Sequence, residues 1–448
     1  MPETARQPVP AHPHHGAQSL LALAAISLLA GAATGGVCAG FRVALERADG
    51  FRDRFIAWAQ GNGAIGVLAV VAACAAACAV AVWLVQHYSP HAAGSGIPHV
   101  EGVLEGRLPP AGVPLVIVKF IGGLLAIGSG LALGREGPSV QIGATLSHLI
   151  GRVFHRAEAD GRVLLAAGAG AGLATAFNAP IAGVVFVLEE LVRRFDLRTT
   201  IAALGASAAA IGVGRTILGP APDFPIAALP DPDLGLVPYF IALGALCGLV
   251  GVGYNKAILG ALHAAAGMSR VPAVLRGAAI GAAVGIIACF FPNAIGGGDA
   301  LTQRVLTGTD SLVWLPLLFA FRFVLGPVSY AAGTPGGLFA PMLVLGAQLG
   351  LGTAAAGNRL FPGSGLNPVV CAVVGMAAFF TAVVRAPLTG IILVLELTGT
   401  STLLLPMLAA CCAAMLIPTL LRQPPIYESL QMASGRSGSG LSTKAPEH

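Results

Sequence analysis

Several glycine-rich stretches of this chain occur twice, in the same order and at nearly constant separation. Gly134-x-x-x-Pro138-x-x-x-x-Gly143-Ala144-x-Leu146 returns as Gly337-x-x-x-Pro341-x-x-x-x-Gly346-Ala347-x-Leu349. Ala179-Pro180-Ile181-x-Gly183-Val184-Val185-x-Val187-Leu188-Glu189 returns as Ala386-Pro387-Leu388-x-Gly390-Ile391-Ile392-x-Val394-Leu395-Glu396. A shorter match, Gly94-x-Gly96 with Val103-Leu104, returns as Gly296-x-Gly298 with Val305-Leu306. Two halves so related must fold on one plan. Duplication with short, interrupted apolar segments at matching positions marks membrane folds whose working site lies where the repeats meet.

Composition places those halves in a bilayer. Of 448 residues, 56% are hydrophobic and only 10% charged, against roughly 25% charged in a soluble domain, and the mean hydropathy is +0.82. The 61 glycines suit close helix contacts and broken helices. A net charge of +5 over this length is too diffuse to imply a nucleic-acid partner.

Apolar runs able to hold about 20 residues of helix begin at 19–45 and 64–86. Shorter or glycine-interrupted runs follow at 97–104, 113–131, 138–150, 163–176 and 180–191, then a run at 201–217. After a Pro- and Asp-rich break, the rhythm repeats at 236–265, 271–291, 300–306, 312–324, 339–351, 368–381, 387–397 and 403–420, with a last short segment at 425–432. The pattern predicts an all-α polytopic membrane protein of tilted and broken helices. Its expected units are a flexible tail over 1–18, a first repeat over 19–218, a linker over 219–235, a second repeat over 236–432 and a flexible tail over 433–448.

All eight cysteines lie in apolar runs and read as core packing, with no metal-ligand spacing to His. His12, His14 and His15 fall in a polar, Pro-rich N-terminal stretch that reads as a solvated tail and is unlike a signal peptide. No soluble regulatory domain is expected after the second repeat.

The chemistry concentrates at Gly134-Arg135-Glu136-Gly137-Pro138, a charged pair amid apolar neighbours. Ionisable groups at membrane depth are costly and face polar cavities. Pro138 suits the first turn of a helix, whose free N–H groups make an anion site beside Glu136. A carboxylate that fills this site, and yields it to a mobile anion, is a gate. Gly94-Ser95-Gly96-Ile97-Pro98 sets a hydroxyl before another helix, and Gly336-Gly337-Leu338-Phe339-Ala340-Pro341 opens a third with free amides at Leu338 and Phe339. Pro424-Pro425-Ile426-Tyr427 presents a phenol. Backbone N–H, Ser95 Oγ–H and Tyr427 O–H are neutral donors, which bind a dehydrated chloride without trapping it.

These residues resemble the CLC family of chloride channels and proton-coupled chloride antiporters, of the prokaryotic type without a C-terminal regulatory domain. Its filter motifs GSGIP, GREGP and GxFxP stand at 94–98, 134–138 and 337–341, and its late tyrosine matches Tyr427. The resemblance spans about residues 19–432. It implies two inverted-topology repeats and a homodimer in the cell membrane with one anion pathway per subunit. Ser95 and Tyr427 would ligate the central anion, Leu338 and Phe339 would donate amides, and Glu136 would be the external gate. Glu190, at the second position of Glu189-Glu190, matches the carboxylate that accepts cytosolic protons in the family's transporters. With Glu136 it would carry the proton. Ser95, where nitrate-preferring members carry proline, together with an intact GREGP and tyrosine, favours chloride. His99 stands where relatives have glutamate and adds a titratable group near the inner mouth.

The leading expectation is a chloride/proton antiporter without a cofactor, its partners being chloride, protons and lipid. A passive CLC-type chloride channel is the alternative, separated by the proton path through Glu190. An enzyme reading rests on Gly296-Gly297-Gly298-Asp299, which fits the GxGD pattern of intramembrane aspartyl proteases. The chain lacks the Tyr-Asp pair of those proteases, and the stretch is better read as the repeat partner of Gly94–Gly96. Arg42, Arg47, Arg52 and Arg54, expected in a first loop, would put the N-terminus outside by charge counting. The resemblance puts both termini in the cytosol.

Overall fold

The computed structural model describes residues 17–227, 229–309 and 311–439. Most of the expected tails, 1–16 with His12, His14 and His15, and 440–448, lie outside these residues. The first half contains α1 (Ala17–Gly61), α2 (Gly63–Tyr88), α3 (Ile97–Leu104), α4 (Val113–Gly128), α5 (Glu136–Val153), α6 (Glu158–Phe177), α7 (Pro180–Phe186) and α8 (Leu197–Leu218). The second contains α9 (Val237–Gly267), α10 (Ala273–Phe290), α11 (Asp299–Thr307), α12 (Leu315–Tyr330), α13 (Phe339–Leu360), α14 (Pro368–Val384), α15 (Pro387–Thr398), α16 (Leu404–Leu420) and α17 (Ile426–Ser439). Among the described residues six helical stretches are long and apolar enough to cross a membrane.

Several helices outrun their apolar runs, α12 reaching Tyr330 and α13 Leu360, and two boundaries bear on the expectations above. α1 continues through the expected first loop, so Arg42, Arg47, Arg52 and Arg54 lie on a helix. The charges of that stretch pair along it, Arg42 with Glu46 at 3.0 Å and Arg52 with Asp49 at 2.5 Å, and such i,i+3 and i,i+4 pairs suit a helical backbone. α17 runs on to Ser439, so part of the expected C-terminal tail is helical. Of the cysteines, seven are buried and Cys412 is exposed.

The halves pack through equivalent small residues. α5 meets α6 where the backbones of Gly143 and Gly168 touch, and α13 meets α14 through Gly346 and Gly375 in the same way. Gly31 and Gly35 of α1 press on Ala206 and Ala210 of α8, while Gly244 and Gly248 of α9 press on Ala410 and Ala414 of α16. Without a hydrophobic drive between helices in lipid, such close backbone approach supplies the packing.

The halves also cross-cap. Glu396, at the end of α15, accepts from the N–H groups of Ile181 (3.1 Å) and Ala182 (2.8 Å) at the start of α7. Glu189, just past α7, accepts from Leu388 N (2.9 Å), Thr389 N (2.7 Å) and Thr389 Oγ1 (2.7 Å) at the start of α15. Each helix end holds the other's beginning, so α7 and α15 run antiparallel. Equivalent elements that run oppositely make an inverted repeat.

Candidate functional site

The glycine-rich loops of the two halves pair with each other at the centre. Gly134 N donates to Gly337 O (2.8 Å) and Gly337 N to Gly134 O (2.7 Å). Gly94 N donates to Thr334 O (3.0 Å) and Gly336 N to Gly94 O (3.0 Å). These bonds satisfy loop backbone that has no helix to join. They also bring the starts of α3, α5 and α13 together. Gly96 is left-handed at φ 86°, and a Cβ on Gly137 would lie 2.7 Å from the carbonyl and hydroxyl oxygens of Ser95. Those two glycines let the Ser95 loop touch the first turn of α5.

Glu136 is the first residue of α5 and is fully buried. Its carboxylate folds back on Gly134 and lies beside the backbone N–H groups of Glu136 itself and Ala340. Neither oxygen makes a well-formed hydrogen bond. The carboxylate thus sits between the N-termini of α5 and α13, where free amides and helix dipoles favour a negative charge. Leu338 and Phe339 stand at that same α13 start, where their N–H groups have no intrahelical acceptor.

Ser95 and Tyr427 are fully buried and adjacent. The Tyr427 hydroxyl has no well-formed hydrogen bond of its own, and its ring stacks with Phe339 at 6.1 Å. Phe339 also meets Phe177, Phe186 and Phe380. Five of the residues singled out in the sequence, Ser95, Glu136, Leu338, Phe339 and Tyr427, therefore surround one centre.

Two buried cations that sequence reading missed brace this centre. Lys119 of α4, with no exposed surface, donates to Ala92 O (3.0 Å) and Gly94 O (2.7 Å). Arg322 of α12 does the same for the second half, donating to Ala294 O (3.2 Å), Gly296 O (2.7 Å) and Gly297 O (2.9 Å). The signal was present, since a lone basic residue in each equivalent apolar helix is costly unless paired. Among the described residues neither forms an ion pair with a carboxylate; each donates to carbonyls of its glycine loop.

Glu190 stands on a different element from these groups, within electrostatic reach of Tyr427. A π-helical turn, Val187–Leu191, follows α7, and such turns recur at functional sites. The turn sends adjacent side chains to different tasks. Glu189 reaches α15, whereas Glu190 is buried, its Oε1 making no hydrogen bond and forming only a long ion pair with Arg193 Nη2 at 3.9 Å. The carboxylate thus stands beside Arg193 yet is enclosed. His99 is buried with its ring 4.6 Å from that of His91. Asp299 bonds Arg135 at 2.8 Å, which fits a charge network at a loop better than a catalytic pair of aspartates.

Comparison with known proteins gives concordant results. The family model described as voltage gated chloride channel matches residues 76–419. The H(+)/Cl(-) exchange transporter ClcA of Vibrio parahaemolyticus is 39% identical over 357 residues, covering 78% of this chain and 76% of the relative. That of Vibrio vulnificus is 36% identical over 416 residues, covering 90% and 89%. Among solved structures, a slow cyanobacterial Cl−/H+ antiporter superposes with a TM-score of 0.88 at 31% identity, covering 92% of this chain and 97% of the other.

Proposed function

This chain belongs to the voltage-gated chloride channel family, and from that premise we propose that it exchanges chloride for protons across a membrane. One observation carries the reading: the Glu136 carboxylate lies between two helix N-termini, in a position suited to an anion. Ionised, Glu136 occupies that position and closes the route. Protonated, it no longer competes, and chloride takes its place. A single carboxylate that alternates between proton and chloride ties the two fluxes together.

Ser95, Tyr427 and the amides of Leu338 and Phe339 bind the central chloride with neutral donors, each replacing part of its hydration shell. Glu190 takes protons from the inner side and passes them toward Glu136. Its enclosure, with one oxygen that makes no hydrogen bond, suits a group that must change protonation state during turnover. The working form is a homodimer with one pathway per subunit, embedded in the cell membrane with both termini cytoplasmic. Residues 19–218 and 236–432 act as its two repeats.

The relatives' exchanger names and the enclosure of Glu190 favour coupled exchange over a passive channel. Purified protein in liposomes tests this. An imposed chloride gradient should drive protons uphill, and Glu190→Gln should keep chloride movement while abolishing the proton movement. A parent that moves chloride without driving protons overturns the exchange reading in favour of a channel.

A further inference from the structure

We propose that Asp223, in the linker between the halves, and Asp299, at the start of α11, are positioning residues that set the external pH at which the Glu136 gate opens, by holding Arg135. The inference rests on the reading of Glu136 as a gate.

Arg135 immediately precedes Glu136, yet its guanidinium is committed elsewhere. Nη2 meets Asp223 Oδ2 at 3.0 Å, Nη1 meets Asp299 Oδ2 at 2.8 Å, and Nε donates to Ala176 O at 3.2 Å. Asp223 is shared with Arg42 Nη1 of α1 at 2.8 Å. Its side chain is only 5% exposed, against 44% for Asp299. The linker that brings it there is fixed on both sides. Asn178 Nδ2 donates to Ala221 O at 2.8 Å, and Phe224 N donates to Leu397 O at 2.9 Å. A carboxylate held this firmly beneath two guanidinium groups is a built part of the site.

A cavity of about 90 Å³ opens over the gate, lined by Asp49 and Arg52 of α1, Arg135 and Glu136 of α5, and Asp299 of α11 among others. The charged groups facing Arg135 and Glu136 are therefore Arg42, Glu46, Asp49 and Arg52 from α1, Asp223 from the linker and Asp299 from α11. Arg322 of α12 lies behind the Gly296–Gly298 loop. Within the inner group the guanidinium charges of Arg42 and Arg135 are offset by Asp223 and Asp299, with Glu46 on the far side of Arg42. With these balanced, Glu136 takes up a proton without an excess cation opposing it. Removing either carboxylate leaves Arg135 undercompensated. Its field then favours ionised Glu136, and the gate stays closed to lower pH.

A single charge roughly 10 Å away, acting through an effective dielectric of about 20, moves a titration by about one pH unit. Asp299 is partly exposed, so solvent screens its effect more than that of Asp223. Chloride efflux from liposomes is measured against external pH for the parent, Asp223→Asn, Asp299→Asn and Asp223→Glu. The half-maximal pH should fall by about one unit in Asp223→Asn and by less in Asp299→Asn. Asp223→Glu, which keeps the charge, should stay near the parent. In a Glu136→Gln background neither asparagine variant should alter the pH profile. If Asp223→Asn fails to fold, the partly exposed Asp299 carries the test. Folded asparagine variants with the parent's midpoint, or with an alkaline shift, overturn the inference, as does a shift that survives in Glu136→Gln. Should Glu136→Gln itself keep the parent's pH dependence, the gate reading falls instead, so the two failures are separable.

Discussion

Glu189→Gln separates the work of two adjacent glutamates. The Glu189 carboxylate accepts three bonds at the start of α15, two from backbone N–H groups and one from the Thr389 hydroxyl. Glutamine of nearly the same shape offers one oxygen, while its NH2 faces a backbone donor. At least one charge-assisted bond is lost, about 1.5–3 kcal/mol. The attraction between a full charge and the α15 N-terminus disappears too, about 0.3–1 kcal/mol. Together the variant should lose about 2–4 kcal/mol of stability. Glu396→Gln, whose cap has two bonds rather than three, should fall at the low end of that range. Denaturation of the detergent-solubilised protein measures the loss, and liposome assays measure the proton-to-chloride ratio of the same preparations. We expect a destabilised protein that still couples, the inverse of Glu190→Gln, which should be stable and uncoupled. Parent-like stability with lost coupling in Glu189→Gln would refute the assignment of Glu189 to capping and of Glu190 to the proton route.

Three further outcomes are expected. Glu136→Gln should give chloride flux independent of external pH and without proton coupling; retained uphill proton movement in liposomes rules out the gate. Ser95→Ala and Tyr427→Ala each remove a donor to a desolvated anion, worth about 1.5–3 kcal/mol, so calorimetry should find chloride affinity weakened by roughly one to two decades, and unchanged affinity in both moves the pathway elsewhere. Lys119→Met removes the side-chain donor to Ala92 O, at roughly 1–3 kcal/mol, and leaves Gly94 O with only its bond from Gly336 N. A lower unfolding temperature with weaker chloride binding should follow, and parent-like values of both would remove Lys119 from the support of the Ser95 loop.

The sequence by itself determined the membrane class and the duplication, and it named the groups that the fold gathers at its centre. Each of those is written in local chemistry: the scarcity of charge, the recurrence of Gly-x-x-x-Pro before an apolar run, and a glutamate beside a proline that begins a helix. α3 even begins and ends where its apolar run does, at Ile97 and Leu104. Tertiary structure decided what depends on residues far apart in the chain. The direction of the repeats became visible only when Glu189 and Glu396 were found holding each other's helices. A carboxylate's acceptor lone pairs carry no mark of which distant amide they will meet. The arginines assigned to a first loop proved helical, because local charge pairing along α1 outlasted its apolar run. Nor could the sequence foretell the roles of Lys119, Arg322 and Asp223. Their partners are loop carbonyls and guanidinium groups that reach them only after the two halves close around the centre, and burial of that kind is a property of the packed whole.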